Sequence, residues 1–168
     1  MNGSQIHLAF THMPVILSLV GLVVLVVALL RKNDTLTKTA FYLLLFAGLT
    51  AIPVYVTGEG AEETVEHLPG VSDGVIEKHE ELAVVSFIMV SVAALVSLLG
   101  LLLYNKAGIR RFAKPLVLVL ALVTASLMAV TAHLGGQVRH TEIRSGFTPQ
   151  TENGTNAGVP KRSDVDND

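Results

Sequence analysis

The chain has 168 residues, of which 51% are hydrophobic, and this composition is too apolar for an ordinary soluble domain, so lipid is the expected solvent. The formal net charge is −2 and no long basic run occurs, which excludes nucleic acid as an electrostatic partner. Cysteine is absent, which excludes disulfides, thiolate ligands and covalent haem attachment, so any cofactor must use His, Met or carboxylate side chains.

Uncharged apolar stretches predict four membrane-spanning helices. Each stretch approaches the ~20 residues that an α-helix needs to cross the hydrocarbon core of a bilayer. The connections lack strand alternation, and lipid admits only helices and closed barrels because every backbone polar group must be satisfied internally. We therefore predict an all-α, four-transmembrane-helix bundle in residues 1–144. The predicted spans are 13–30, 39–57, 82–104 and 115–134, with an outer loop at 58–81.

The connections between these spans differ in charge. Connections 31–38 and 105–114 together carry seven Lys or Arg residues against Asp34 alone. The outer loop instead carries eight carboxylates and the single cation Lys78. Because basic loops stay on the cytoplasmic side of a membrane, we predict that both termini and the outer loop are extracytoplasmic.

The end of the chain has a different composition from the spans. Residues 145–168 are rich in Gly, Thr, Asn, Pro and Asp. Such a segment buries too little apolar surface to offset the conformational entropy lost on ordering. We predict a disordered tail over these residues.

All six histidines lie at or beyond the outer rim of the predicted bundle, and none lies at the other rim. Neutral imidazole is a common ligand of iron, copper and zinc, so this asymmetry points to chemistry. Small residues mark the faces through which membrane helices pack. In the fourth helix every fourth residue from Ala121 to Ala129 is alanine, and the next step is His133. His140 lies seven residues further on, so we expect both histidines to face the bundle.

The third helix is predicted to begin at a cap formed by Ser72 or Asp73. His79 starts a seven-residue repeat of small residues in this helix and is therefore expected at the end of its packing face. The repeat continues through Ser86, Ala93 and Gly100, and Ser97 shares the same face.

The first helix has a comparable stripe, formed by His7, Thr11, Pro14, Ser18 and Gly21. Pro14 disfavours helical geometry at the residue before it, so we expect the helix to start at or just before Pro14. His12 would then lie in a cap or an irregular entry segment. We interpret His7 as a hydrated side chain at the interface.

The outer loop is long enough to contain a short helix over residues 61–67, lying over the mouth of the bundle. Glu63 and His67 are four residues apart and would share a face of this helix. The helix would end at the Leu-Pro-Gly sequence that starts at Leu68.

The first functional hypothesis is a metal or haem site at the outer rim, serving in electron transfer. A haem b needs two histidines on facing helices, whereas a divalent transition metal needs several side chains that converge. Glu63 and Glu81 are candidate acceptors that would orient an imidazole. The candidate ligands are His79, His140, His12, His67 and His133.

Other interpretations of the histidines remain open at this point. Histidine tolerates the lipid–water interface, so these residues could be hydrated side chains in a non-catalytic assembly or scaffold subunit that docks a redox or periplasmic protein. A transporter is disfavoured because no acidic or basic residue lies in the middle of a span. No nucleophile and base can be paired, so we predict no catalytic residue.

Several short strings resemble a known family: Thr11-His-Met-Pro, Thr57-Gly-Glu-Gly-Ala-Glu-Glu, Glu66-His-Leu-Pro-Gly-Val, Lys78-His-Glu-Glu and Gly135-Gly-Gln-Val-Arg-His-Thr-Glu-Ile. The chain resembles small bacterial four-span membrane proteins whose domain has no known function, over Ile6 to Ile143. The resemblance implies a multi-pass protein of the bacterial inner membrane. Some similar proteins are associated with Rieske-type redox domains, which implies electron transfer. The recurrent histidines of that family match His12, His67, His79 and His140, and do not match His7 or His133.

Overall fold

A computed structural model of the chain describes residues 3–144, and within that range it is helical with no strand. The predicted tail at 145–168 lies outside the described residues. A short 3₁₀ turn, Thr141–Ile143, follows the last helix. The helices are α1 (Gly3–Phe10), α2 (His12–Leu30), α3 (Asp34–Val56), α4 (Gly58–Val65), α5 (Asp73–Leu102) and α6 (Ala107–Arg139).

The bundle consists of four helices that are long and apolar enough to cross a membrane, which confirms the all-α prediction. They are α2 with its extension α1, then α3, α5 and α6. In the ring that they form, α2 packs on α3 and α6, and α5 packs on the other faces of α3 and α6. Large apolar side chains such as Val23, Leu95 and Val119 stay exposed on the outside, as a lipid solvent requires.

The entry to the first span differs from the prediction. His12 is the first residue of α2, so the irregular entry segment predicted there is wrong. Thr11 keeps helical dihedral angles, with φ −52° and ψ −38°, and both its backbone N–H and its hydroxyl donate to the carbonyl oxygen of His7. Pro14 lies in the first turn of α2, where a missing N–H costs little. The chain therefore remains almost continuously helical from Gly3 onward.

Small residues set how closely the helices approach. An added Cβ at Gly48 of α3 would lie 2.5 Å from the Cβ of Ala94 in α5. An added Cβ at Gly100 of α5 would lie 2.7 Å from the ring of Phe41 in α3. The α3–α5 contact is thus built on glycine, as expected where lipid offers no hydrophobic drive between helices.

The packing face of α5 is the predicted one. Its buried residues include Ser86, Ala93, Ser97 and Gly100, and His79 lies half-buried at the end of the stripe. The predicted start of this helix is also confirmed, because Ser72 is the N-cap residue and Asp73 the first helical residue.

The packing face of α6 differs from the predicted one. Ala121 and Ala125 are buried, but Ala129 and His133 are exposed. Each step of four residues rotates 40° around a helix of 100° per residue, so three steps carry His133 about 120° away from Ala121. The buried face of α6 instead follows residues that lie alternately four and three positions apart, from Val117 to Met128. It includes the buried residues Val117, Ala121, Thr124, Met128 and Val138.

The end of the bundle that carries the 31–38 and 105–114 connections is called the basic end, and the opposite end the acidic end. At the basic end Asp34, the first residue of α3, ties three elements together. Its carboxylate accepts hydrogen bonds from the Tyr104 hydroxyl at 2.8 Å, from Lys114 Nζ at 2.7 Å and from Arg110 at 3.2 Å. Burial, together with the hydrogen bond to Asp34, raises the pKa of the Tyr104 phenol.

Candidate functional site

A cover of two short helices lies at the acidic end. Helix α1 packs against α4 and α3. The Ser4 hydroxyl donates to the carbonyl oxygen of Gly60 at 3.0 Å and shares a 2.6 Å hydrogen bond with the Thr64 hydroxyl. The short helix predicted in the outer loop exists, although it runs over Gly58–Val65 and is shifted toward the end of α3.

His79 joins α5 to α6 at the same end of the bundle. Its imidazole is half-buried, and Nδ1 lies 3.0 Å from the carbonyl oxygen of Thr131 in α6. The Thr131 hydroxyl in turn shares a 2.7 Å hydrogen bond with Ser86. Gly135 leaves the space that the ring occupies, since an added Cβ there would lie 2.9 Å from His79 Cε1. The His79 ring therefore has a fixed position between the two helices.

His7 makes the equivalent contact on the other side of the bundle mouth. Its Nδ1 lies 3.0 Å from the carbonyl oxygen of Val54, near the end of α3. An added Cβ at Gly58 would lie 3.9 Å from His7 Cε1, so the ring also packs against the start of α4. The His7 and His79 imidazoles are close enough to interact electrostatically.

The two hydrogen bonds determine which ring nitrogen carries the proton. A carbonyl oxygen can only accept, so Nδ1 of His7 and of His79 must be the donor. The Nε2 atom of each neutral ring then carries a lone pair. Neither Nε2 forms a hydrogen bond with another group in residues 3–144. This arrangement resembles metal-binding histidines, in which a backbone carbonyl orients the ring through the nitrogen that does not bind the metal.

The other histidines are exposed and have local partners or none. His133 Nε2 lies 2.9 Å from the side-chain nitrogen of Gln137, one turn away on the same helix. His140 Nδ1 donates to Glu142 at 2.8 Å. A hydrogen bond to its own backbone, together with the contact to His140, holds the pKa of Glu142 below its usual range.

His67 and His12 are the remaining candidate ligands from the sequence. His67 contacts its neighbour Glu66 at 3.2 Å. His12 is exposed, as are Glu63 and Glu81. Within the described range, neither of these two carboxylates forms a hydrogen bond or ion pair with a histidine.

The structure does not bring the five candidate ligands from the sequence into one sphere. Across residues 3–144, no group of three His, Cys, Asp or Glu side chains is placed so that it could hold a metal ion. The His79 imidazole of α5 instead interacts electrostatically with His7 of α1, a residue outside the predicted ligand set. The sequence contained a signal for His7, since this residue heads the same small-residue stripe as Pro14, Ser18 and Gly21, all three of which are buried.

An acidic cleft of about 300 Å³ lies at the same end of the bundle, between α4 and the start of α5. Burial raises the pKa of the Glu62 carboxyl in this cleft, and the negative charges of Glu80 and Glu66 raise it further. The cleft is lined by Glu62, Glu66, Asp73, Ile76, Glu77 and Glu80.

A family model described as "Predicted membrane protein (DUF2231)" matches residues 3–142, which is most of the chain and includes every helix of the bundle. No curated protein matched the chain. No solved structure matched it.

Proposed function

We propose that this chain, which belongs to the DUF2231 family of predicted membrane proteins, is a membrane subunit that binds a transition-metal ion at its acidic end. The proposed ligands are the Nε2 atoms of His79 and His7, and the proposed role is electron transfer. We further propose that the acidic end is extracytoplasmic in a bacterial inner membrane, since the basic loops belong on the cytoplasmic side.

The observation that carries this proposal is that the two imidazoles make the same type of hydrogen bond to the backbone. Both rings donate through Nδ1 to a carbonyl oxygen at 3.0 Å, on α3 for His7 and on α6 for His79. A ring held in this way offers its Nε2 lone pair without first having to choose a tautomer or an orientation. Ligand pre-organisation of this kind lowers the entropic cost of binding.

The electrostatic setting favours a cation. Two imidazoles are neutral ligands, and a cation between them would also lie near the carboxylates of the acidic cleft, such as Glu80. Imidazole suits copper, zinc and iron. Two protein ligands leave the other coordination positions to water or to an exchangeable ligand, which is a common feature of functional rather than purely structural metal sites.

The test uses the full chain purified in detergent, with metal content, visible absorption and equilibrium binding of Cu²⁺, Zn²⁺ and Co²⁺ measured. We expect one equivalent of metal for the wild-type chain. The His79→Asn and His7→Asn variants should weaken its binding at least about ten-fold, which is at the low end of the effect of losing a group that supports a metal site. Asparagine keeps a donor for the backbone carbonyl and lacks the Nε2 ligand, so these variants remove the lone pair with little change in helix packing.

His133→Asn is the matched control, because His133 is exposed and bonded only within its own helix. It should bind metal as the wild-type chain does. Equal binding by all four proteins would refute the choice of ligands. A Soret band in the purified protein would identify haem as the bound group, and its loss in His79→Asn would keep the site at this residue.

A second candidate function is a non-catalytic assembly or scaffold subunit. The observation that favours it is that four of the six histidines are exposed with local partners or none, and that the Nδ1 bonds of His7 and His79 also fasten neighbouring helices. In that case no stoichiometric metal is found. The His79→Asn variant would then change stability alone.

A further inference from the structure

A second cleft lies away from the histidines, at the basic end between α5 and α6. Its volume is about 590 Å³, within the usual range for small-molecule sites. The walls are apolar, and the lining residues Leu99, Phe112 and Leu116 are exposed on the outside of the bundle, in the region that lipid occupies. Its lining includes Val96, Leu99 and Leu103 of α5 and the following turn, and Gly108, Phe112 and Leu116 of α6.

The charges around this cleft are unbalanced. The two connections at the basic end carry seven cations against Asp34, an excess of six positive charges (7 − 1). Asp34 already pairs with Arg110 and Lys114. Lys106 and Arg111 are exposed and have no carboxylate partner in residues 3–144. They flank the cleft residues Gly108 and Ile109 in the sequence. Two cations without a carboxylate partner therefore lie next to the cleft.

One class of molecule matches both features. A phospholipid has an acyl chain that can fill an apolar cleft open to the bilayer, and an anionic headgroup that lies at the depth where the basic loops begin. A soluble anion would leave the cleft empty, and a neutral lipid would leave the cations without countercharge. We propose that this cleft binds one anionic phospholipid, with an acyl chain against Phe112 and Leu116 and its phosphate beside Lys106 and Arg111.

The absence of tryptophan from the chain makes a direct test feasible. Phe112→Trp places one fluorophore in the cleft wall, at a position that is 74% exposed. Its quenching by brominated phosphatidylglycerol and by brominated phosphatidylcholine, in mixed vesicles of the two lipids, gives the relative affinity of the cleft. We expect phosphatidylglycerol to be preferred roughly 25-fold at low salt, at about five-fold for each of the two cations. Lys106→Gln or Arg111→Gln should each lower the preference about five-fold.

Gly108→Leu separates a bound lipid from diffuse attraction. An added side chain at Gly108 meets no atom within 4 Å, so leucine would extend into the cleft while all cations remain. We expect this variant to lose most of the preference for phosphatidylglycerol that the Phe112→Trp reporter measures. A second reporter, Leu30→Trp, lies at the basic end of α2, is 78% exposed and should not respond to any of these three substitutions.

Three results would overturn the proposal. Equal quenching of the cleft reporter by the two lipids would show that no anionic lipid is selected. A preference that survives Gly108→Leu would show only a diffuse attraction to the basic end. Shielding of the cleft reporter from both lipids would show that a second copy of the chain or another protein covers the cleft.

Discussion

Gly48 offers the sharpest test of how the bundle is packed. An alanine Cβ at this position would lie 2.5 Å from the Cβ of Ala94, whereas ordinary contact begins near 3.4 Å, so α3 and α5 must separate locally by about 0.9 Å. Ala94 has no rotamer through which it could yield. The added Cβ would also lie 3.3 Å from the carbonyl oxygen of Val90, so the helix cannot relieve the contact by a small rotation alone.

The magnitude follows from two opposing effects. Overpacking a well-packed interior costs about 1–3 kcal/mol, and the absence of a rotamer escape places Gly48→Ala near the upper part of that range. Replacing glycine by alanine in a helix recovers about 1 kcal/mol. We therefore expect the free energy of unfolding to fall by about 2 kcal/mol. The assay is equilibrium unfolding in mixed detergent micelles, followed by circular dichroism.

The reverse exchange provides the rescue. Ala94→Gly removes the Cβ that the new side chain would meet, so the Gly48→Ala/Ala94→Gly double variant should return close to wild-type stability. The double-mutant cycle should give a coupling of at least about 1 kcal/mol between the two positions. Gly108→Ala is the matched control, since its added Cβ meets nothing within 4 Å and stability should not fall. If Gly48→Ala were as harmless as this control, or if the two substitutions were simply additive, the close approach of α3 and α5 would be refuted.

Three further predictions concern the acidic end and the orientation. Gly135→Ala should displace the His79 ring and weaken metal binding. The free energy of unfolding should fall by no more than about 2 kcal/mol, because overpacking costs about 1–3 kcal/mol and alanine in a helix recovers about 1 kcal/mol. Unchanged metal binding in a titration would show that the ring position does not matter. Glu62→Gln should raise the melting temperature at neutral pH and have little effect near pH 4. A carboxyl whose pKa is raised by folding stabilises the protein at pH values below its unfolded pKa. This stabilisation is lost as the pH rises through the folded pKa. A destabilised variant at neutral pH would contradict this. The chain lacks cysteine, so a single introduced cysteine can report the orientation of the protein in the membrane. Glu63→Cys should react with an impermeant maleimide added outside intact cells, and Lys32→Cys should not. The opposite pattern would show that the orientation is the reverse of the predicted one.

The number of spans, the start of α5 and its packing face could be predicted from the sequence, because apolar length and the seven-residue repeat beginning at His79 directly reflect lipid solvation and helix geometry. The face of α6 could not be predicted from the alanines. Their four-residue period drifts around the helix, and the buried positions are decided by which residues meet α2 and α5.

The same limit applies to the histidines. Sequence spacing predicted that His133 and His140 face the bundle, whereas both side chains are exposed and His140 lies just beyond the end of α6. The contact of His7 with Val54 is a relation between residues 47 positions apart, formed only when α1, which extends α2, packs beside the end of α3. Separate apolar stretches in a sequence do not show which residues of different helices come into contact.

The central claim is that His7 and His79 present two Nε2 lone pairs to one metal ion. Electron paramagnetic resonance of the full chain with one equivalent of Cu²⁺ tests it most directly, because pulsed spectra count the coordinated imidazoles. We predict two imidazoles for the wild-type chain and for His133→Asn, and one for either His7→Asn or His79→Asn. Spectra that remain the same in the His7→Asn/His79→Asn double variant would contradict the claim.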